Sequence, residues 1–221
     1  MLKKLAMNMA RSYYEDKPHD EDDLAIYAYG AEKYIAVRLE LAAIVLLSLF
    51  VGRFLETIVF FAAFIPLRRF AGGYHAKDNL RCFLGFLMIY TINLMILFVT
   101  PIELIGVLLL PFAFISAFLV LWLAPLPDKN KPFTQDQIKG LRRKSVKLLA
   151  VQTMIIALFS LITIIFGSRM IVPINIWLFS FSVEVPFIFL GFALGQLSAS
   201  GSLVATKIKN YTSDREVNSK V

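Results

Sequence analysis

The stretch IAVRLELAAIVLLSLFVGRFLETIVFFAAFIPL, Ile35 to Leu67, is apolar almost throughout, and the fold turns on how its central Arg53 and Glu56 are read. A single tilted helix would hold both charges near the middle of a bilayer, at a cost of a few kcal/mol each. Two shorter crossings, about 35–52 and 54–67, would instead set both at the far interface, where they reach headgroups or each other. Flanking charge decides between the two. Lys3, Lys4, Arg11, Lys17, Lys33 and Arg38 lie at or before the start of the stretch, and Arg68, Arg69, Lys77 and Arg81 follow it. Basic segments stay on the cytoplasmic side of a membrane, so an even number of crossings separates these two groups. The stretch therefore predicts two helices.

Further apolar runs of bilayer-spanning length follow at 82–100, 102–124, 148–167 and 174–197. Each is long enough to cross a hydrocarbon core of about 30 Å at about 1.5 Å per residue. An apolar content of 58%, with 20 phenylalanines, argues in the same direction and away from a soluble globule. The turn at Thr100–Leu104 carries no Lys or Arg, whereas Asp128–Lys147 carries seven, so the alternation of sides continues. The expected fold is all-α and polytopic, with about six transmembrane helices, the first two short, and both termini cytoplasmic.

Residues 1–14 place Leu2, Leu5, Met9 and Tyr13 on one helical face beside Lys3, Lys4 and Arg11, which reads as an amphipathic helix lying on the membrane. No long apolar core or small-residue cleavage site follows, so this segment is not expected to be a cleaved signal. Asp22 or Asp23 is the expected cap of the next helix. The chain divides into one membrane-embedded domain: a helical region at 1–34, a bundle at 35–197 with a loop at 68–82, and a polar cytoplasmic tail at 198–221. Arg38 is the expected partner of Glu40, whereas Glu184 is an acid within an apolar run with no evident partner.

The net charge of +7 sits between apolar runs, where topology is written, and is not spread like a nucleic-acid surface. One cysteine forms no intrachain disulfide, and two histidines do not by themselves make a structural zinc site. That cysteine, Cys82, ends the loop RRFAGGYHAKDNLRCF, seven residues after His75. A thiol with a pKa of about 8.5 is only slightly ionised at neutral pH, so a cysteine nucleophile needs a base or a positive field. On one straight helix His75 and Cys82 would stand about 10.5 Å apart along the axis, too far for a hydrogen bond. A bend must bring them together. Gly72 and Gly73 supply backbone freedom, Asp78 or Asn79 caps the following helix, and Cys82 then occupies its first turn, where the helix dipole and Arg81 favour thiolate.

Blander readings of these residues exist. A lone cysteine in a membrane helix packs as a small hydrophobe, a histidine among arginines sits at an interface, and Gly-Gly is a hinge. A metal site would need more ligands than His75, Cys82 and Asp78. A non-enzymatic transporter or scaffold for peptide export is the competing class, and would depend on Glu40 or Glu184 rather than on Cys82.

The pattern Arg69-x-x-Gly72-Gly73-x-His75-Ala76, followed by Cys82, resembles the accessory gene regulator B (AgrB) family of membrane cysteine peptidases. The segment LAPLPDKNKP, 123–132, resembles that family's Ala-Pro followed by an Asn/Lys-Lys-Pro run. Such proteins cut the acidic C-terminal tail from a short quorum-sensing precursor peptide and permit ring closure to a thiolactone or lactone. The resemblance implies Cys82 as nucleophile and His75 as its base, with no cofactor or metal. It further implies Arg69, Gly72 and Gly73 as shaping the loop or engaging substrate, and a cell-membrane location with the site at the cytoplasmic face. Asp78 is a candidate to orient His75, and Lys131 belongs to a basic face that would attract the acidic tail. A symmetric dimer would give so small a protein a way to enclose a water-poor site.

Overall fold

A computed structural model describes residues 2–16, 20–74, 76, 78–128, 133–166, 171–176 and 179–218. Its elements are α1 (Leu2–Tyr14), α2 (Glu21–Val51), α3 (Phe54–Ala71), α4 (Asn79–Val99), α5 (Ile102–Leu123), α6 (Gln135–Phe166), β1 (Ile171–Ile176), β2 (Phe179–Glu184) and α7 (Val185–Asn218). Five of these helices, α2 and α4 to α7, are long and apolar enough to cross a membrane. Helix α3 has 18 residues and carries its charges only at its ends, Glu56 in the first turn and Arg68 and Arg69 in the last. Its rise of about 27 Å approaches the thickness of a hydrocarbon core. The protein is a polytopic helical membrane protein.

The stretch 35–67 is two helices. Gly52 adopts φ 73°, its N–H donates to Leu49 O, and the Arg53 N–H donates to Ser48 O at 2.9 Å. That is a Schellman arrangement, which satisfies the last carbonyls of α2 and stops it. Arg53 and Glu56 then pair at 2.9 Å, with the Arg53 guanidinium 4.6 Å from the Phe187 ring centre and 5.3 Å from that of Phe98. Helix α2 runs for 31 residues because the more polar helix that starts at Glu21 continues without a break into the apolar crossing that ends at Val51. Its cap is Asp20, not Asp22 or Asp23: the Asp20 carboxylate accepts from the Asp23 N–H at 2.7 Å, and Asp23 reciprocates as the third residue of a capping box.

Side-chain pairs set the direction of each helix. Thr57 bonds Tyr90 at 2.7 Å and Phe64 stacks on Phe86 at 5.2 Å, so α3 and α4 are antiparallel. Phe159 stacks on Phe189 and Gln196 bonds Thr153, so α6 and α7 are antiparallel too. Gly191 lies against Glu56, and Gly195 against Phe60, which makes α3 and α7 parallel. Ser116 donates to the Gln196 carbonyl at 3.1 Å where α5 meets α7. The 52–53 turn, the 100–101 turn and the β1–β2 hairpin therefore share one end of the bundle. Residues 72–74 and 124–128 share the other with the start of α2 and the end of α7.

Helix α7 is the centre of the bundle. A Cβ on Gly191 would lie 2.8 Å from the Glu56 carbonyl, and one on Gly195 would lie 3.1 Å from the Ala63 Cβ. With Ala199 these form a small residue every fourth position, which lets two backbones approach closely in lipid. Two expectations are corrected here. Residues 171–176 and 179–184 pair as antiparallel strands, so the last crossing starts at Val185 rather than at 174, and Glu184 is an exposed strand end rather than an intramembrane acid. Nor does a polar tail begin at Ser198: Ala199, Ser200, Leu203 and Thr206 have no exposed surface, and the helix continues to Asn218. The amphipathic α1 is present, with Ala6 and Ala10 buried and Leu5 and Met9 exposed near Lys3 and Lys4.

Candidate functional site

Helix α3 ends because Gly72 and Gly73 take φ 84° and 130°, angles that side-chain-bearing residues adopt only under strain. Close packing closes both positions as well. A Cβ on Gly72 would strike the Leu126 carbonyl, and one on Gly73 would strike the Ser202 hydroxyl. Residues 72–74 thus form a strap held from both sides: the Leu126 N–H donates to Ala71 O at 3.0 Å, and the Tyr74 N–H donates to Ser202 O at 3.3 Å.

Helix α4 begins after Asp78, whose Oδ1 accepts from the Arg81 N–H at 2.8 Å. The described residues between Gly72 and Asp78 are non-helical, so positions 75 and 82 do not share one continuous rod. Cys82 stands in the first turn of α4, half-buried, with its N–H donating to Asp78 O at 3.1 Å. Among the described residues the cations within electrostatic reach of its thiol are Arg68 and Lys33, and Glu40 is the carboxylate.

Residues next to several of the candidates take part in these contacts. Arg69 is exposed, whereas Arg68 is partly buried, donates to the Tyr74 carbonyl, and lies within reach of both Cys82 and Asp128. Arg81 does not serve the thiol; its guanidinium pairs with Asp78 Oδ2 at 3.1 Å on the exposed side of the helix. Asp78 contacts Arg81 with both oxygens, one on its amide and one on its side chain. Asn79 is not the cap but a tie between helices, accepting from Lys33 Nζ at 2.5 Å and donating to Glu32 at 2.9 Å. Arg38 lies over the Tyr34 ring instead of pairing with Glu40, which feels Lys33. His75 and Lys131 lie outside the described residues.

Residues overlooked in the sequence complete the site's surroundings. Asp128, wholly buried, bonds Lys209 at 2.6 Å, and Lys209 also sits 4.9 Å from the Tyr74 ring centre. A carboxylate set between the Pro127 and Lys129 of an otherwise basic segment was the one available signal for Asp128; Lys209 carried none. Among the described residues no three His, Cys, Asp or Glu side chains stand together as a metal site.

Residues 2–192 match the family model described as Accessory gene regulator B. The chain is 24% identical over 160 residues to "Putative AgrB-like protein 2" of Clostridium perfringens, covering 68% of this chain and 73% of that one. It is 29% identical over 124 residues to "Putative AgrB-like protein 1" of the same species, covering 56% and 62%. With "Accessory gene regulator protein B" of Staphylococcus intermedius it shares 28% identity over 100 residues, 45% and 52% of the two chains. No solved structure matches it.

Proposed function

The chain belongs to the accessory gene regulator B family, with the role in accessory gene regulator quorum sensing that this membership carries, and from that premise we propose that it is a membrane cysteine endopeptidase. It removes the C-terminal tail of a short precursor peptide and permits closure of the remainder into a thiolactone or lactone. The observation that carries this reading is the setting of Cys82: a half-buried thiol in the first turn of α4, within electrostatic reach of Glu40, Arg68 and Lys33, on the helix that follows a glycine strap and His75 in sequence.

In this mechanism His75 takes the Cys82 proton and the sulfur attacks the scissile carbonyl. Collapse of the tetrahedral adduct breaks the C–N bond, and His75 returns the proton to the leaving amine. The peptide remains as a thioester on Cys82. A cysteine thiol of the same peptide then attacks that thioester, its proton passing through His75 to the departing Cys82 sulfur, so one thioester replaces another without ATP. Where a serine attacks, a lactone forms in the same way. Water excluded from the half-buried thioester keeps the product from being a linear acid. The basic end of the bundle, with Arg142, Arg143 and Lys144 at the start of α6, is the cytoplasmic one by the positive-inside rule and attracts the acidic tail.

The export reading lost one of its two supports, because Glu184 is exposed at the end of β2 rather than buried among helices. The test is incubation of the purified protein in lipid with a candidate precursor. Mass spectrometry is expected to find a peptide adduct on Cys82, with Cys82→Ser and His75→Ala inserting normally but failing to cleave. Normal cleavage by both variants overturns the proposal.

A further inference from the structure

The strap is gripped by an ion pair with no part in the chemistry just described. Asp128, between α5 and α6, has a side chain with 0% exposure, and its Oδ1 accepts from Lys209 Nζ at 2.6 Å. Its surroundings join three segments that are distant in sequence. Asn210 Nδ2 donates to Pro127 O at 3.1 Å, Lys209 lies over the Tyr74 ring, and Arg68, which donates to Tyr74 O, is within electrostatic reach of Asp128. The Ser202 carbonyl, about two helical turns earlier in α7, accepts from the Tyr74 N–H. Both polar backbone atoms of Tyr74 are thereby held, one by α7 and one by α3. A buried ion pair is a poor source of net stability, because desolvation offsets most of the attraction, but it discriminates strongly between registers.

We propose that Asp128 and Lys209 are positioning residues that lock the end of α7 and the α5–α6 segment around residues 72–74, and so set where residue 75 stands relative to Cys82. The proposal rests on the peptidase reading for its consequence but not for its geometry. It also assigns a role to the last part of α7, since Ser202 and Lys209 lie beyond residues 2–192 that match the family model. Both residues act through Tyr74; neither needs to touch the substrate.

The test uses the full chain in lipid nanodiscs. Asp128→Asn keeps the shape and removes the charge. A displacement of about 1 Å at a reacting pair lowers rates about 100-fold, so kcat for precursor cleavage is expected to fall about that much while KM stays within about twofold. Hydrogen exchange at the Tyr74 amide is expected to accelerate at least about tenfold, while protection in α5 and α6 is retained. Lys209→Met should reproduce both effects, Lys209→Arg should restore them to near the parent values, and the double variant should be no worse than either single one. Parent-like kcat in Asp128→Asn, or unchanged Tyr74 exchange, overturns the proposal. Collapse of protection throughout the bundle in both single variants overturns it too, by making the pair a support of the whole fold. Should Cys82→Ser cleave normally, the peptidase reading fails alone, and Tyr74 exchange still decides whether the pair holds the strap.

Discussion

Replacing Gly73 by alanine separates the strap from the bundle, and the structure supplies the terms. At φ 130° an L-residue is held in a sparsely populated region, a strain of about 1–3 kcal/mol. The new methyl also meets the Ser202 hydroxyl, with the Ser202 Cβ at 3.2 Å and Arg68 Nη1 at 3.1 Å, and overpacking of this kind costs about 1–3 kcal/mol. Together the native position is penalised by about 2–6 kcal/mol. What holds the strap is of similar size: the Tyr74–Ser202 and Leu126–Ala71 backbone bonds contribute about 0.5–1.5 kcal/mol each and the Arg68–Tyr74 bond about 1.5–3 kcal/mol. The strap therefore yields before the helices do.

Gly73→Ala should accordingly keep its helical content and its insertion while precursor cleavage falls about 100-fold, the penalty of a displaced reacting group. Adding Ser202→Ala removes the worst contact but not the backbone strain, so it should recover only part of the lost rate. Gly52 is the matched control. It also has positive φ, 73°, but nothing lies within 4 Å of a Cβ there, so Gly52→Ala should cost about 1–2 kcal/mol of stability and leave cleavage intact. Initial rates with a synthetic precursor, normalised to folded protein by exchange protection in α5, are the measurement. A Gly73→Ala variant with the parent rate, or full rescue by Ser202→Ala alone, would refute the strain argument.

Three other perturbations follow from the same contacts. Gly195→Leu should destabilise the bundle by about 3 kcal/mol or more in detergent unfolding, because the Phe60 backbone and the Ala63 Cβ leave no room, whereas Gly201→Ala, which meets nothing within 4 Å, should be neutral or slightly stabilising. Arg68→Lys should lower cleavage about tenfold or more, since a point charge does not reproduce the planar guanidinium that donates to Tyr74 O within electrostatic reach of the thiol, while Arg69→Ala, at an exposed position, should change it little. Truncation after Leu197 should abolish stable insertion by removing the buried Ala199–Thr206 segment, and truncation after Ser213 should be tolerated, as seen by proteolysis of membranes.

Crossings were legible where hydrophobicity was interrupted sharply. Gly52 with Arg53 and Glu56 announced the α2–α3 turn, and the alternation of basic segments gave the direction of each helix before any contact was known. Cys82 was placed in the first turn of α4 because a cap three or four residues ahead of a long apolar run fixes that register. The choice between Arg68 and Arg69, or between Arg81 and Lys33, was not legible. Adjacent positions on a helix differ by about 100° in direction, and which of them faces the strap depends on how α3 packs against α7 rather than on local spacing. Asp128 and Lys209 pair across 81 residues of sequence, and a single sequence has no signal for such a partner.

The misreading of residues beyond Ser198 has a different cause, and it bears on where membrane proteins keep their machinery. Among the five candidate spans, the one in α7 is the least hydropathic and the most buried. In water that combination would be a contradiction. In lipid it follows from the solvent: a helix facing hydrocarbon must be apolar on its outer surface, whereas one enclosed by protein is free to carry polar groups that its neighbours satisfy. Gln196, Ser200, Ser202 and Thr206 are such groups, buried and bonded to neighbouring helices or to their own backbone. A fall in hydropathy was therefore taken for the membrane's edge when it marked the bundle's axis. The strap rests on that axis through Ser202 and Lys209, so the segment that read as a polar tail is the surface against which residues 72–74 are held.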